Sequence, residues 1–429
     1  MTSTATPRRR SLRRLSAALA AGAATLALAA CGAATAVTGT TDSTTSTTGT
    51  TTATAAADLT GLDTHVDEDD LTWDAAEEQT IELTGESVTI TEGGVYRVSG
   101  TLTDGQLIIA AGDDETVTII LDGAFITSST GPGIAVTSAD EVTLYLEKGS
   151  SNSVADGSGY EVTDDSTPVA AIASASDLTI AGPGALTVTG STNDGISSSD
   201  GLAILSADLT VTAVDDAVRG KDYVTISGGS LDLTSGGDAV KSDNAEDADR
   251  GWVLITAGTL TIDAGDDGID AEQAVEILDG AVTIAQSVEG VEAQDILISG
   301  GTLDITASDD GLNATAADSA DSTDGNGAGA DQSREADDGS SLSITGGTVT
   351  VDADFDGLDS NGSISLTGGE VTITSADNGG DSAVDANGDV TLDGTTLTAN
   401  GTEVTSAEEL SAGGMGGGMR GGMGGGPRG

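Results

Sequence analysis

One short motif recurs along most of this chain and limits what the chain can fold into. Gly258-Thr259-Leu260-Thr261-Ile262-Asp263-Ala264-Gly265-Asp266-Asp267-Gly268-Ile269-Asp270-Ala271 is its fullest copy. Its last part returns as Asn193-Asp194-Gly195-Ile196, Asp215-Asp216-Ala217-Val218, Gly237-Asp238-Ala239-Val240, Val288-Glu289-Gly290-Val291, Asp309-Asp310-Gly311-Leu312, Phe355-Asp356-Gly357-Leu358 and, more loosely, Asp381-Ser382-Ala383-Val384. The Gly or Ala positions, 195, 217, 239, 268, 290, 311, 357 and 383, are separated by 22, 22, 29, 22, 21, 46 and 26 residues. A near-fixed period of this size is the mark of stacked units. The two longest irregular steps contain polar inserts, Ala245 to Arg250 and Ala317 to Gly339, which read as loops bulging from one coil.

Inside a unit Leu260, Ile262 and Ala264 alternate with Thr261 and Asp263, which is the period of a strand, and no helical stripe is found in the repeats. Two more short strands follow, Ile269 to Glu272 and Val275 to Ile277, divided by Gly, Asp or Asn turns. Three strands closing one loop make one coil of an all-β, single-stranded parallel β-helix with about 22 residues per coil. No coil can bury its apolar row alone. Stacked coils lie roughly 4.8 Å apart, so a residue type repeated at one place becomes a column along the solenoid.

The start of the chain reads as an export signal over residues 1–30. Arg8, Arg9, Arg10, Arg13 and Arg14 form its basic region and Leu15 to Leu28 its apolar stretch, too short to span a bilayer as a stable helix. Leu28-Ala29-Ala30-Cys31 resembles a bacterial lipobox, which implies cleavage before Cys31 and a lipid on it; Cys31 is the chain's one cysteine. Residues 31–65, rich in Thr, Ser and Ala, are expected to be a flexible tether. The β-helix is expected over 66–405, with atypical coils over 66–173 and regular repeats over 174–405, and 406–429 reads as a disordered Gly/Met-rich tail. The expected location is extracellular, lipid-anchored to the outer face of the cell membrane, as a monomer.

Composition narrows the partners. The formal charge is -57, and removal of the five signal arginines leaves nine basic residues against 71 acidic ones. Such a charge excludes nucleic acid, and leaves membrane contact to the lipid alone. The acid gathers in the turns: Asp194, Asp215, Asp216, Asp238, Asp266, Asp267, Glu289, Asp309, Asp310 and Asp356, with Asp270 and Asp359 just beyond. Stacking in register brings like charges within roughly 5 Å, which disfavours ionisation unless a cation intervenes. Carboxylates and turn carbonyls are the hard oxygen ligands of Ca²⁺, so these residues are candidate ligands; solvated turn acids are the alternative.

Two further columns follow from the register. Arg219, Lys241, Asp270, Glu292, Asn313, Asp359 and Asp385 each follow the apolar residue of a turn. The two cations at its head are either a catalytic base with charge partners or, the commoner arrangement, an ionic ladder. Alignment of Val224-Thr225-Ile226 with Val253-Leu254-Ile255 places Tyr223 and Trp252 side by side on adjacent coils. That pair is either a stacking platform for pyranose rings, with Arg219 and Lys241 beside it, or a cover for the insert at Ala245 to Arg250.

Ile90-Thr91-Glu92-Gly93-Gly94-Val95-Tyr96, Leu121-Asp122-Gly123, Gly228-Gly229-Ser230-Leu231, Gly237-Asp238-Ala239-Val240-Lys241-Ser242-Asp243-Asn244 and Ala264-Gly265-Asp266-Asp267-Gly268-Ile269-Asp270-Ala271 together resemble a family of secreted bacterial carbohydrate-binding domains. The resemblance covers roughly Val66 to Asn400, and the Gly/Met-rich tail looks like that family too. It implies a right-handed parallel β-helix like that of pectate lyases, bound Ca²⁺, and binding of plant-wall chains such as cellulose or polygalacturonate. Where the family has Gly in the turn this chain has Ala at 217, 239 and 383, and Ala resists positive φ. The expected function is therefore non-catalytic polysaccharide binding. A Ca²⁺-dependent lyase would need an Arg or Lys base, and only Arg219, Lys221, Lys241 and Arg250 lie near acid. A structural or adhesive stalk is the third reading.

Overall fold

Aliphatic residues at every second position can be dried only by a second layer, and here each coil supplies that layer to the next. The computed structural model describes residues 59–62, 64–66, 71–160, 169–316, 337–376 and 381–413, and among these 29 strands join in one hydrogen-bonded array. All pairings are parallel except a terminal hairpin, Thr396–Ala399 with Thr402–Val404. The chain is thus an all-β protein with a long parallel sheet wound as a solenoid.

Three faces of the solenoid each carry an inward column. On the first, Tyr96, Ile119, Leu144, Ile180, Ile204, Ile226, Ile255, Ile277, Ile298, Ile344, Leu366 and Leu392 succeed one another in register. On the third, Val88, Leu107, Ile134, Ile172, Ile196, Val218, Val240, Ile269, Val291, Leu312, Leu358 and Val384 do the same. The second runs through Val188, Val211, Leu233, Ile262, Ile284, Ile305, Val351 and Ile373. These side chains form one continuous core. Each fully buried Leu, Ile or Val contributes about 1.5–3 kcal/mol, so the ladder of coils is held chiefly by this stack.

The corner between the first and second faces needs glycine. Gly229 has φ 97°, and a Cβ there would lie 2.2 Å from the carbonyl oxygen of Ala207. The turn glycines of the repeat have a different reason. Gly268 is outside the positive-φ set, but its Cβ would meet the Gly290 carbonyl oxygen at 2.6 Å and Ile284 at 2.7 Å. Ala217 and Ala239 are fully buried in the same pattern, Val218 N–H donating to Ala239 O at 3.1 Å as Ile269 N–H donates to Gly290 O at 3.2 Å. The expected conflict between Ala and positive φ therefore does not arise, because close packing and not φ selects glycine at this turn.

Both ends depart from the expected boundaries. Leu59–Gly61 forms a 3-10 turn that belongs to the solenoid and not to a free tether. Leu59 is 3% exposed and packs with Tyr223, Trp252, Leu254 and Ala274 in a second apolar cluster, while its N–H donates to Glu276 Oε2 at 2.7 Å. At the other end Ala407–Gly413 is helical and Leu410 packs on the core, so this part of the expected tail is a cap. Residues 1–58, including Cys31, most of the insert at 317–339, and 414–429 lie outside the described residues.

Candidate metal and carbohydrate site

The turn from the second face to the third lines up the acids of successive coils. In the doublets Asp215-Asp216 and Asp266-Asp267 the strand alternation turns the second residue inward: Asp216 and Asp267 are buried, whereas Asp266 is exposed. The inner carboxylates form a ladder. Asp238 N–H donates to Asp216 Oδ1 at 3.0 Å, Asp267 N–H to Asp238 Oδ1 at 2.9 Å, Glu289 N–H to Asp267 Oδ1 at 2.9 Å, and Asp356 N–H to Asp310 Oδ1 at 2.8 Å. These acids therefore serve as rungs between coils, and the solvated-turn alternative does not describe them.

Four groups of three carboxylates bring ligand atoms within 4.8 Å of one another: Asp194 with Asp215 and Asp216, Asp238 with Asp266 and Asp267, Asp267 with Glu289 and Glu292, and Asp356 with Asp359 and Asp385. Of the sequence-predicted ligands, Asp270, Asp309 and Asp310 join no such group among the described residues. Glu292 and Asp385 join although they were read only as members of the neighbouring column. That column is real in register, Arg219 pairing with Lys241, then Asp270, Glu292, Asn313 and Asp359. Its alternation with the ladder residues brings both sets to one edge.

The two cations are consumed by this edge. Lys241 Nζ lies between Asp238 and Asp270, 2.8 Å from the latter. Arg219 pairs with Asp243 and sits 3.8 Å from Asp194. Burial works against the charge of Lys241, but Asp270 and Asp238 more than offset it and its pKa is raised. With both pKa values raised, neither residue is suited to act as a general base.

Farther along, no Lys or Arg among the described residues pairs with the carboxylates of the edge. Burial first, then Asp310 and Asp385, push Asp356 up to about 7; burial, Asp310 and Asp356 do the same to Asp359. Glu289 is raised by burial and Glu292, Glu292 by burial and Asp270, and Asp267 by burial and Asp238. Asp216, beside Lys241, is still pushed up to about 7 by burial. Two buried oxygens at this edge, Asp194 Oδ2 and Asn313 Oδ1, have no hydrogen-bond partner.

The aromatic platform is corrected by the structure. Tyr223 and Trp252 do stack in adjacent coils, ring centres 4.6 Å apart and planes at 8°, but they are 2% and 1% exposed. The cover is the segment from Leu59 to His65. Tyr223 OH receives the His65 N–H at 2.7 Å and faces His65 Nδ1 at 2.5 Å, while His65 Nε2 meets Thr179 Oγ1 at 2.8 Å. Burial and then Arg250 lower the His65 pKa to about 4, which keeps this ring neutral. No signal in the run Ala57-Asp58-Leu59-Thr60-Gly61-Leu62 announces this docking except its two leucines. Sequence reasoning also passed over Trp73, which stays half exposed at the first coils, and its signal was being one of only two tryptophans.

Comparison with known proteins adds the following. A family model described as "Carbohydrate-binding domain-containing protein" matches residues 84–339 and 296–381. A protein of Acetivibrio thermocellus with the same description is 34% identical over 211 residues, which is 49% of this chain and 74% of that one. A gadolinium derivative of a polysaccharide lyase-like protein from C. thermocellum is 35% identical, with a TM-score of 0.48 over 50% of this chain and 93% of that chain.

Proposed function

This chain belongs to the family of carbohydrate-binding domain-containing proteins, and on that premise we propose that it binds polysaccharide without cleaving it, using Ca²⁺ held by the acid edge. The observation that carries this reading is the late part of the edge, where Asp267, Glu289 and Glu292, and then Asp356, Asp359 and Asp385, converge with no Lys or Arg paired to them among the described residues. The donor set suits the metal: hard carboxylate oxygens, with the unpartnered carbonyl of Asn313 beside Glu289. Bound there, Ca²⁺ would supply a positive charge with open positions for an acidic chain. The protein's own residues would hold the ligand atoms in register, and binding would release the protons that burial and crowding otherwise favour.

A lyase reading loses support from the same geometry, since Arg219 and Lys241 are locked onto carboxylates. The finer geometry that goes with our reading is a right-handed parallel β-helix of about 22 residues per coil, a long outer surface suited to a chain ligand. A lipid on Cys31 would hold the protein at the outer face of the membrane as a monomer; Cys31→Ser should release it, and unchanged membrane retention would sink the anchor.

Affinity electrophoresis through a panel of polysaccharides, with and without Ca²⁺, tests the main reading. Retention by polygalacturonate is expected only with Ca²⁺, because two polyanions repel without it. Absence of retention by every polysaccharide would leave the stalk as the reading to adopt, and release of unsaturated uronides would restore the lyase.

A further inference from the structure

Outside the acid edge, the outer surface of the first face carries a cleft at its earliest coils. Trp73 and Glu77 stand over Thr116 and Thr118, with the buried Glu141 and Thr143 beneath them, in an open cleft of about 280 Å³. Adjacent coils build the floor, Thr118 pairing with Thr143 and Thr116 with Glu141. Its volume lies just below the ~300–1,000 Å³ of ligand pockets in general, which suits one sugar ring and not a folded oligosaccharide.

The aromatic wall is fixed before any ligand arrives. Trp73 meets Tyr145 edge-on, ring centres 4.9 Å apart at 77°, and its Nε1–H donates to Glu78 Oε1 at 2.9 Å. Glu78 is gripped by Arg97 Nε at 2.8 Å and Nη2 at 3.3 Å, and Arg97 Nη1 reaches Glu147 at 2.7 Å and Asp122 at 3.1 Å. This chain of charge-assisted hydrogen bonds pins the indole through its polar edge and leaves ring surface to the cleft. A side chain held in its binding rotamer loses little entropy when a ligand stacks on it.

Chemistry selects the ligand. A pyranose offers an apolar face for an indole and hydroxyls that donate to carboxylates and exchange hydrogen bonds with threonines. Among the described residues the lining holds two carboxylates, Glu77 and Glu141, and no Lys or Arg. A uronate would set its own carboxylate against them, whereas a neutral hexose would not. Resting on the carbohydrate-binding reading above, we propose that this cleft is a subsite for one neutral hexopyranose unit of a glucan-type chain, stacked on Trp73 and hydrogen-bonded to Glu141. The molecule then has two routes to polysaccharide, a metal-free one here and a Ca²⁺-dependent one at the acid edge.

The test titrates the full chain with cellohexaose and maltohexaose, in chelator, following tryptophan emission and heat. Because Trp252 is buried, a shift in emission reports Trp73. Binding of at least one hexasaccharide without Ca²⁺ is expected. Trp73→Phe and, separately, Glu141→Gln should weaken it about three- to tenfold, the size of one stacking or hydrogen-bond contribution, at unchanged melting temperature. Thr118→Val is the substitute if either variant fails to fold. Retention on polygalacturonate with Ca²⁺ should be the same in all variants. Equal hexasaccharide affinity in wild type and variants overturns this site alone. Retention on polygalacturonate with no binding of either neutral hexasaccharide also overturns it and leaves the acid-edge reading standing, whereas no binding to any carbohydrate overturns both.

Discussion

The acid edge meets like-charge repulsion in two ways along its length. In the coils of Asp194, Asp216 and Asp238, Arg219 and Lys241 are built into the column beside the carboxylates. In the coils of Glu289, Asp310 and Asp356 the same positions hold Glu292, Asn313 and Asp359. The backbone ladder is alike in both, as the rungs from Asp238 to Asp216 and from Asp356 to Asp310 show. The difference therefore lies in one side chain per coil. Where the cation is part of the chain, charge balance does not depend on the medium; where it is absent, protons or a metal must supply it.

The largest expected effect sharpens that contrast. Near pH 8 in chelator the melting temperature should be well below that in millimolar Ca²⁺, each occupied site adding about 4 kcal/mol at a thousandfold excess over its Kd. Equal melting curves would remove the metal from the account. In chelator the pH dependence has a fixed sign. Folded pKa values of about 7 for Asp356 and Asp359 lie above their unfolded values, so their stabilisation is complete at the acid end and is lost as pH rises from about 4 through about 7. Ca²⁺ should flatten this fall, which scanning calorimetry at several pH values would show.

Next in size, Lys241→Met should destabilise by about 2–4 kcal/mol in chelator at pH 8, because the buried Asp238 and the half-buried Asp270 are left facing each other. Millimolar Ca²⁺ should recover part of the loss by occupying the vacated place. The smallest effect has the opposite sign: Glu292→Gln in chelator should stabilise by about 1 kcal/mol, since one of three converging charges goes. With Ca²⁺ the same change should cost stability through a lost ligand. Urea titrations of both variants in both media would break the comparison if the signs agreed.

Much of this was legible in the sequence because a solenoid turns spacing into contact. The run Val218, Val240, Ile269, Val291 and Leu312 is a column, as its steps implied. Tyr223 stacks on Trp252 for the same reason. What period cannot reveal is what covers an outward residue, and His65 reaches Tyr223 across 158 residues of chain. The split of the doublet Asp266-Asp267 into an outer partner and a buried rung was available from strand alternation, yet all the turn acids were read alike as candidate Ca²⁺ ligands. The ion pair of Arg219 with Asp243 was not legible, because Asp243 lies outside the repeat motif.

The docking of Leu59 also decides where a pull on the leading segment would be felt. Leu59 is fastened near Glu276, whereas the first strand of the solenoid begins at Gln79. Tension transmitted along the chain before Leu59 would thus arrive at the flank of the middle coils and not at the terminal one. A stack loaded at its end peels one coil at a time. Loaded at its flank, it must first shear the Leu59 cluster and the His65 hydrogen bonds together, so the segment behaves as a mechanical fuse that shields the first coils from unravelling.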